Sequence, residues 1–192
     1  VVTAFTIGCD TPAAMAEIAA ANRTRPLLRL ELGGEGDDER IQAVRAAAPA
    51  ARIVVDAAES WDEKMLGAMV PVLVECRILS VEQPLPADAD GALAGAGLPI
   101  PVHADESCVT VADLDRLDGK YAAVTIKLDK VGGLTSALAI AKEAKRRGLG
   151  VVAGGSVSTS LGIAPGLLIA RGAEYADLCG PLLLAGDRPG GL

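Results

Sequence analysis

Hydrophobic runs and Ala-rich stretches alternate along the chain at an almost even spacing. The hydrophobic runs are short and rich in β-branched residues, which indicates strands buried on both faces. We predict eight strands, at Val2–Ile7, Leu27–Leu32, Arg52–Asp56, Ile78–Glu82, Ile100–Ala104, Ala122–Lys127, Gly150–Ala153 and Tyr175–Leu178. The stretches between them predict seven helices, at Pro12–Asn22, Asp38–Ala48, Glu63–Cys76, Asp90–Ala96, Val111–Leu117, Leu134–Arg147 and Ser158–Arg171.

Strict alternation of strands and helices predicts an α/β fold with a parallel sheet and right-handed crossovers. Eight strands favour closure into a barrel. Because nothing helical is expected after the eighth strand, we predict a TIM-type (β/α)7β barrel that forms a single domain over residues 1–192. The alternative is a doubly wound open sheet, which usually carries a glycine-rich phosphate loop after an early strand. The stretch at 33–36, Gly-Gly-Glu-Gly, is too short and too acidic for that loop and lacks its spacing.

Composition narrows the possible partners. The chain is 51% hydrophobic but only 2% aromatic, so its core must be mainly aliphatic. Its net charge is −7, and no Lys/Arg-rich run or aromatic-basic patch is present, so we do not expect nucleic acid as a partner. No apolar stretch reaches membrane-spanning length without a charge or a helix breaker, so we expect no membrane association. The four cysteines form no CxxC pair, which argues against zinc and for a reducing compartment, the cytoplasm.

Four of the strands end in a charged residue: Asp56, Glu82, Asp105 and Lys127. In a parallel barrel these ends form the face that carries the active site, so the three carboxylates should converge. Three unpaired carboxylates repel one another, and a divalent cation removes the conflict, with all-oxygen ligands favouring Mg²⁺ over Zn²⁺. Alternatively, each acid pairs with a nearby Lys or Arg or caps the following helix. His103 shares strand parity with Asp105, so we expect it inside the barrel, satisfied by a neighbour.

Lys127 lies next to this group of acids in the predicted barrel. A lysine near a metal ion is pushed towards its neutral form and can act as a general base. A metal and a lysine base together predict proton abstraction next to a carboxylate, with the ion holding the resulting enediolate. The alternative is a salt bridge from Lys127 to Asp129 or Glu106. We expect Lys130 to be a solvent charge or a charge behind the site.

These residues carry a resemblance to a known family. The chain resembles the enolase superfamily, muconate-lactonizing-enzyme subgroup, and is most similar to dipeptide epimerases of the L-Ala-D/L-Glu type. The likeness extends to Gly191 and covers nearly the whole chain. The segments that carry it, besides Asp56, are Val81-Glu82-Gln83-Pro84, Ala104-Asp105-Glu106-Ser107, Ile126-Lys127-Leu128-Asp129-Lys130, Gly132-Gly133-Leu134, Ser158-Thr159-Ser160-Leu161-Gly162 and Asp177.

The resemblance implies a function and a larger protein. It implies Asp56, Glu82 and Asp105 as Mg²⁺ ligands, Lys127 as an acid/base, and a carboxylate substrate such as a dipeptide or amino-acid derivative. It also implies a capping domain made of N-terminal residues and a C-terminal tail, and homo-oligomers are common in the family. Neither part of the capping domain occurs in this sequence, so we expect an excised barrel domain.

The chain departs from the family pattern at the second strand. The family's Lys-x-Lys, whose second lysine is the acid/base on the opposite face of the substrate, is matched here by Arg29-Leu30-Glu31. Residues i and i+2 of a strand point to the same face, so Arg29 and Glu31 should occupy the two lysine sites. Glu31 could act as a base only if its pKa were raised, and a nearby metal opposes that. Arg29 could pair with Glu31 or contact a substrate carboxylate.

Further departures lie at other strand ends. The family's Asp-Ala-Asn after the third strand ends here in Ala58, and Ser156 replaces a larger apolar residue. The family's Asp-x-Asp, which holds the substrate's ammonium group, is here Asp177-Leu178-Cys179. We therefore expect proton abstraction by Lys127, with substrate contacts from Arg29, Ser156, Asp177 and Cys179. The alternatives are a one-base dehydratase or cycloisomerase and a catalytically impaired, ligand-binding barrel.

Overall fold

The eight strands form one parallel sheet in chain order in a computed structural model that describes residues 1–191. They are β1 (Phe5–Ile7), β2 (Leu28–Glu31), β3 (Ile53–Asp56), β4 (Val81–Glu82), β5 (Val102–Ala104), β6 (Ala123–Lys127), β7 (Gly150–Gly154) and β8 (Ala176–Asp177). The first and last strands also meet: the Ala4 N–H donates to the Ala176 carbonyl at 2.7 Å, and the Ala176 N–H to Val2 at 2.9 Å. The sheet therefore closes, which confirms the predicted barrel.

Helices surround this barrel. They are α1 (Pro12–Ala21), α2 (Asp37–Ala47), α3 (Glu63–Glu75), α4 (Leu128–Val131), α5 (Leu134–Arg146), α6 (Ser160–Ile163) and α7 (Gly166–Ala170). The start of α1 follows from the sequence, since Pro12 is its first residue and the Thr11 hydroxyl accepts the Ala14 N–H at 3.3 Å. None of the helices within residues 1–191 is long and apolar enough to cross a membrane.

Two of the predicted helices are wrong in type. The segments expected to be α-helical at Asp90–Ala96 and Val111–Leu117 are 3₁₀ helices at Asp90–Leu93 and Val111–Arg116. The first segment contains two glycines, Gly91 and Gly95, and the second, Val111–Leu117, is less than two α-helical turns long. Such short segments gain few i→i+4 hydrogen bonds, so they settle into the tighter 3₁₀ form.

The expectation of one helix over Ser158–Arg171 is also wrong. The chain there forms α6 and α7, separated at Pro165, which has no N–H to continue the helical hydrogen bonding. Two short elements were not expected: α4 directly after β6, and a 3₁₀ turn at Gly180–Leu183 after β8, where nothing helical was predicted. This turn is a single 3₁₀ element, so the barrel keeps seven full crossovers.

Strand parity divides the apolar residues into two layers. Inward-facing residues form a small cluster inside the barrel, made of Ala4, Leu27, Val54, Val152 and Tyr175. Outward-facing residues such as Ile53 and Val55 belong to the larger cluster between strands and helices. His103 is 3% exposed and lies 6.2 Å from the Tyr175 ring between centroids. A neighbouring group was expected to form a hydrogen bond with this histidine. Its Nδ1, however, has no hydrogen-bond partner among the described residues.

Candidate active site

Three carboxylates meet at the carboxyl ends of neighbouring strands. Asp56 ends β3, Glu82 ends β4, and Asp105 comes directly after β5. Asp56 and Glu82 are partners in the sheet, and Glu82 is the partner of His103, so Asp105 is the next inward-facing residue. Within the described residues these three are the one group of acidic, His or Cys side chains able to share a metal, with ligand atoms all within 4.8 Å of one another.

The electrostatics of this group fit a cation. Burial, with the charges of Asp56 and Asp105 adding to its effect, raises the pKa of Glu82 to about 8 against the opposing charge of Arg29. Burial likewise raises the pKa of Asp56, with Asp105 adding to the rise. Like charges removed from water favour a bound proton or a cation. Because every donor is a carboxylate oxygen, the set suits a hard divalent cation.

Arg29 is held by four carboxylates. Its Nη2 contacts Asp56 and lies 3.5 Å from Glu82, its Nε lies 3.5 Å from Asp177, and its Nη1 lies 3.4 Å from Glu31. The Arg29 side chain is only 4% exposed. Burial lowers the pKa of Arg29, but Glu82 and Asp56 outweigh that effect and the pKa rises. Arg29 thus pairs with Glu31, one of the two arrangements that the sequence left open, and with three further acids.

Two lysines flank Asp105. Lys127 contacts its Oδ2, and Lys130 donates to Oδ1 at 2.6 Å, to the Asp105 carbonyl at 2.6 Å and to the Thr125 carbonyl at 2.8 Å. Burial raises the pKa of Asp105, but Lys130 and Lys127 outweigh it, and the pKa falls below its usual value. Burial lowers the pKa of Lys127, but Asp105 and Glu82 outweigh it, and the pKa rises. Lys130 is therefore a charge behind the site.

Lys127 and Glu31 lie on opposite sides of the barrel, since β2 and β6 are half a turn apart in the closed sheet. Lys127 is the sheet partner of Gly154. A Cβ at Gly154 would lie 2.7 Å from the Thr125 Cγ2 and 3.0 Å from the Lys127 Cγ. Glycine at this position therefore leaves room for the lysine stem. The Glu31 side chain is 51% exposed, so it meets more water than any of the three clustered carboxylates.

Asp177 and Cys179 are hydrogen-bonded to Thr6 of β1. The Thr6 hydroxyl donates to Asp177 Oδ1 at 2.7 Å, and the Thr6 N–H donates to the Cys179 Sγ at 3.3 Å. The thiol in turn donates to Asp177 Oδ1 at 3.5 Å. Together with the contact to Arg29, these bonds engage both oxygens of Asp177 within the protein. Burial and the charge of Asp177 raise the pKa of the Cys179 thiol, which keeps it protonated.

Most of the candidate site residues line one cavity of about 370 Å³. Those on its wall are Arg29, Glu31, Asp56, Lys127, Ser156, Asp177 and Cys179. Glu82 and Asp105 are buried beside it, within the carboxylate group. The Ser156 hydroxyl donates a hydrogen bond to Asp129 at 2.6 Å. Asp129 therefore pairs with Ser156 and does not form the salt bridge to Lys127 that was one alternative. The fold thus brings together all nine residues singled out in the sequence.

Several residues of the site were not among the catalytic, substrate-binding and metal-ligand candidates taken from the sequence. Thr6 anchors Asp177, Lys130 holds Asp105, and the walls of the cavity include Cys9 and Glu106. Gln83 hydrogen-bonds the Asp105 N–H at 2.9 Å. A signal existed for Lys130, because residue i+3 after a strand end returns to that end when a helical turn follows. No local signal marks Thr6, whose partner lies 171 residues away.

Comparison with known proteins places the site in a family. Residues 13–178 match the family model described as "Enolase C-terminal domain-like". The chain is 42% identical over 187 residues to an N-acetyl-D-glutamate racemase of Pseudoalteromonas sp., and 42% identical over 189 residues to an L-Ala-D/L-Glu epimerase of Escherichia coli K12. Each alignment covers 97% of this chain and 59% of the relative, so the chain spans about three fifths of their length.

A solved structure shows the same backbone. An enolase family member from Agrobacterium tumefaciens, described as having homology to dipeptide epimerases and containing bound sodium and L-Ala-L-Glu, superposes with a TM-score of 0.97. It is 47% identical to this chain, covering 100% of this chain and 59% of the other. With matching sequence and fold, the chain belongs to the enolase C-terminal domain-like family.

Proposed function

We propose that this chain is the barrel domain of a Mg²⁺-dependent isomerase that removes an α-proton next to a carboxylate group, most like a dipeptide epimerase. The observation that carries the proposal is the convergence of Asp56, Glu82 and Asp105 beside Lys127, at one cavity. Buried carboxylate oxygens favour a hard cation such as Mg²⁺, and a dipeptide epimerase structure from Cytophaga hutchinsonii contains Mg. The bound cation would supply positive charge where the substrate carboxylate becomes more negative.

Lys127 is the group that accepts the proton. Its side chain is 19% exposed and belongs to the cavity wall, so its Nζ can reach a substrate bound there. The acids raise the pKa of Lys127. A divalent cation shared by the same acids would offset their charge and bring the lysine pKa down, towards the range in which a general base works at neutral pH. Lys130 keeps Asp105 oriented while Lys127 exchanges its proton.

Glu31 makes one-base chemistry the second candidate. Inversion by two bases needs a proton donor on the face opposite Lys127, and β2 supplies a half-exposed carboxylate there that is held by Arg29. A carboxylate that is paired with a guanidinium accepts hydrogen bonds and, unlike a lysine ammonium group, has no proton to donate. The chain would then deprotonate on one face only, as a dehydratase or a cycloisomerase does. A barrel that binds ligand without turnover is the third possibility.

The state of Asp177 bears on the substrate class. Both of its oxygens are engaged by Thr6, Arg29 and Cys179, and the second carboxylate of the family pattern is a thiol here. A substrate ammonium group would therefore be poorly paired, which costs more than the about 1–3 kcal/mol lost when a neutral polar group is left without a partner. We infer that an N-acylated amino acid fits better than a dipeptide with a free amino group. A relative named as an N-acetyl-D-glutamate racemase supports this choice.

The experiment is isotope exchange in the full-length protein. Dipeptides and N-acyl amino acids are incubated in D₂O with Mg²⁺, α-proton exchange is followed by NMR, and configuration by chiral chromatography. Exchange that needs Mg²⁺ and vanishes in Lys127→Ala supports the proposal. Exchange without inversion selects the one-base reaction. No exchange with any substrate, together with no Mg²⁺ binding, leaves the ligand-binding barrel.

Glu31→Lys tests the missing second base directly. A lysine at this place can protonate the face opposite Lys127, so we expect inversion to rise by about 10²–10⁴-fold, the usual contribution of one acid/base group. The rates of exchange and inversion are measured together in D₂O. Glu31→Gln is the matched control, because it removes the charge without adding a proton donor. Equal inversion rates in the lysine and glutamine variants would contradict the assignment.

A further inference from the structure

A completely buried amide lies directly behind the carboxylate group. Gln83 follows Glu82 in the chain and is 0% exposed. Its Oε1 accepts hydrogen bonds from the Asp105 N–H at 2.9 Å and the Ser107 N–H at 3.1 Å. One side chain from the end of β4 thus holds the backbone on both sides of the turn that carries Asp105.

The other end of the amide is equally well bound. Nε2 donates towards the Leu85 carbonyl at 2.8 Å, the Ser107 hydroxyl at 2.8 Å and the Tyr121 hydroxyl at 3.0 Å. An amide has two N–H hydrogens, so the two hydroxyls share one of them. If the amide were flipped, Nε2 would lie opposite the N–H groups of Asp105 and Ser107, so that hydrogen-bond donors would face one another. The network therefore allows only one orientation of Gln83.

The backbone of Gln83 is fixed in an unusual conformation. Its φ is +34°, in the left-handed region that long side chains rarely adopt. The Gln83 N–H donates to the His103 carbonyl at 2.9 Å, and its carbonyl accepts the Glu59 N–H at 2.8 Å. Strained residues persist where the surroundings over-determine them, often next to functional groups. Here the turn sends the Gln83 side chain towards Asp105 immediately after Glu82 has entered the site.

The buried carboxylate of Asp90 hydrogen-bonds the two hydroxyl groups of this network. Asp90 accepts from the Ser107 hydroxyl at 2.7 Å and the Tyr121 hydroxyl at 2.8 Å through Oδ2, and from Lys120 at 2.6 Å through Oδ1. Each polar group of this network has a partner. Fully satisfied buried networks are rigid, and they lose that rigidity when one member is removed.

We propose that Gln83 is a positioning residue that fixes Asp105 for cation binding. The proposal rests on the metal site of the proposed function. Gln83 does not line the cavity, so it acts through Asp105 and not on the substrate. Lys130 and Lys127 hold the carboxylate oxygens of Asp105, whereas Gln83 holds its backbone. Together these bonds leave the Asp105 carboxylate little freedom.

The test compares metal affinity with stability in the full-length protein. Mn²⁺ and Mg²⁺ affinities of wild type and Gln83→Met are measured by calorimetry at a temperature where circular dichroism shows both to be folded. Loss of a partner that orients a metal ligand weakens binding by about 10–100-fold, and we expect this for Gln83→Met. Amide hydrogen exchange of Asp105 and Ser107 should accelerate in the same variant.

Tyr121→Phe is the matched control. It removes hydrogen bonds from the outer side of the network but leaves both Oε1 bonds to the Asp105 turn. We expect lower thermal stability with less than about a threefold change in Mn²⁺ affinity, below the range for lost ligand-orienting contacts. A merely structural role for Gln83 would instead lower stability in both variants and affinity in neither.

Each outcome decides between the proposals. Unchanged Mn²⁺ affinity in folded Gln83→Met overturns the positioning role while leaving the metal site intact. Failure of the wild type to bind Mn²⁺ or Mg²⁺ overturns the metal site itself. If Gln83→Met does not fold, Gln83→Asn keeps the amide but is one methylene too short to reach Asp105, and the same affinity criterion applies to it.

Discussion

Arg29, Glu31 and Cys179, three positions where the sequence is expected to depart from the family pattern, belong to one connected network. Arg29 contacts Glu31 and Asp177, and Asp177 accepts from the Cys179 thiol. A change at one of these positions therefore alters the charge felt at the others. Arg29 also reaches Asp56 and Glu82, so the same network extends to the candidate metal ligands. These positions therefore act as one electrostatic unit and not residue by residue.

Arg29→Met should make stability depend on Mg²⁺. Removing the guanidinium leaves several buried carboxylates without a counter-charge, which costs about 3–5 kcal/mol. A divalent cation at the same acids can restore part of that loss, so Mg²⁺ should raise the melting temperature of the variant more than that of the wild type. Thermal melts in EDTA and in Mg²⁺ measure this. Arg116→Met, in an exposed ion pair with a 68% exposed arginine, is the control and should change little. An equal response to Mg²⁺ in wild type and Arg29→Met would contradict the expectation.

Each strand sets the direction of its functional side chain through parity and through its neighbours. Inward-facing Val54 and Asp56 alternate with outward-facing Ile53 and Val55 on β3, so the last inward residue enters the site. The direction of the Lys127 side chain depends more on its neighbour on β7 than on strand parity. Gly154 stands beside Lys127 and has no Cβ, so the lysine stem passes over it towards the cavity.

Gly154→Ala should destabilise the barrel and weaken proton transfer. The new Cβ would lie 2.7 Å from the Thr125 Cγ2, too close for ordinary contact. Overpacking of this kind costs about 1–3 kcal/mol and would displace Lys127. Urea unfolding and α-proton exchange measure the two effects. Gly67→Ala is the matched control: nothing lies within 4 Å of its new Cβ in the exposed face of α3, and it should stabilise by about 0.5–1 kcal/mol. If the two variants lost equal stability, the absence of a Cβ at Gly154 would not be what makes room for the Lys127 side chain.

At the scale of the whole molecule, closure of the barrel creates both the site and a buried polar interior. Closure brings Thr6 on β1 to Asp177 on β8 and puts Lys127 across from Glu31. It also buries His103 near the end of the barrel opposite the site, where a cavity of about 210 Å³ is lined by His103 and Tyr175. Burial lowers the pKa of His103 to about 4.

The buried histidine predicts a loss of stability in acid. Below about pH 6.5 the unfolded chain binds a proton at His103 that the folded chain does not, so the contribution of His103 to the free energy of unfolding falls as the pH drops towards 4, while the raised pKa of Glu82 acts in the opposite direction in wild type and variant alike. The loss should be on the order of 3 kcal/mol and should disappear in His103→Gln. Urea unfolding of both proteins between pH 7 and pH 4 measures the difference. Since His103 is the only histidine, its imidazole NMR signal gives the pKa directly, and titration near 6.5 would contradict the prediction.

The barrel and its charged strand ends could be predicted because they depend on local pattern. Short β-branched runs alternating with Ala-rich stretches define strands and crossovers, and closure places the ends of β3, β4 and β5 side by side. The elements that were predicted wrongly also depend on the local sequence. The weak segments after β4 and β5 are 3₁₀ rather than α-helical, and Pro165 divides the last helix. These failures leave the site in place, because the strands carry it.

By itself the sequence determined the fold, the family and the identity of the groups at the strand ends. The tertiary structure decided how those groups are paired. The sequence could not show that Arg29 binds four acids, that Thr6 engages Asp177, or that Gln83 holds the Asp105 backbone. The physical reason is that periodicity records which side chains are buried, whereas ion pairs and hydrogen bonds depend on distances between strands that only the closed barrel fixes.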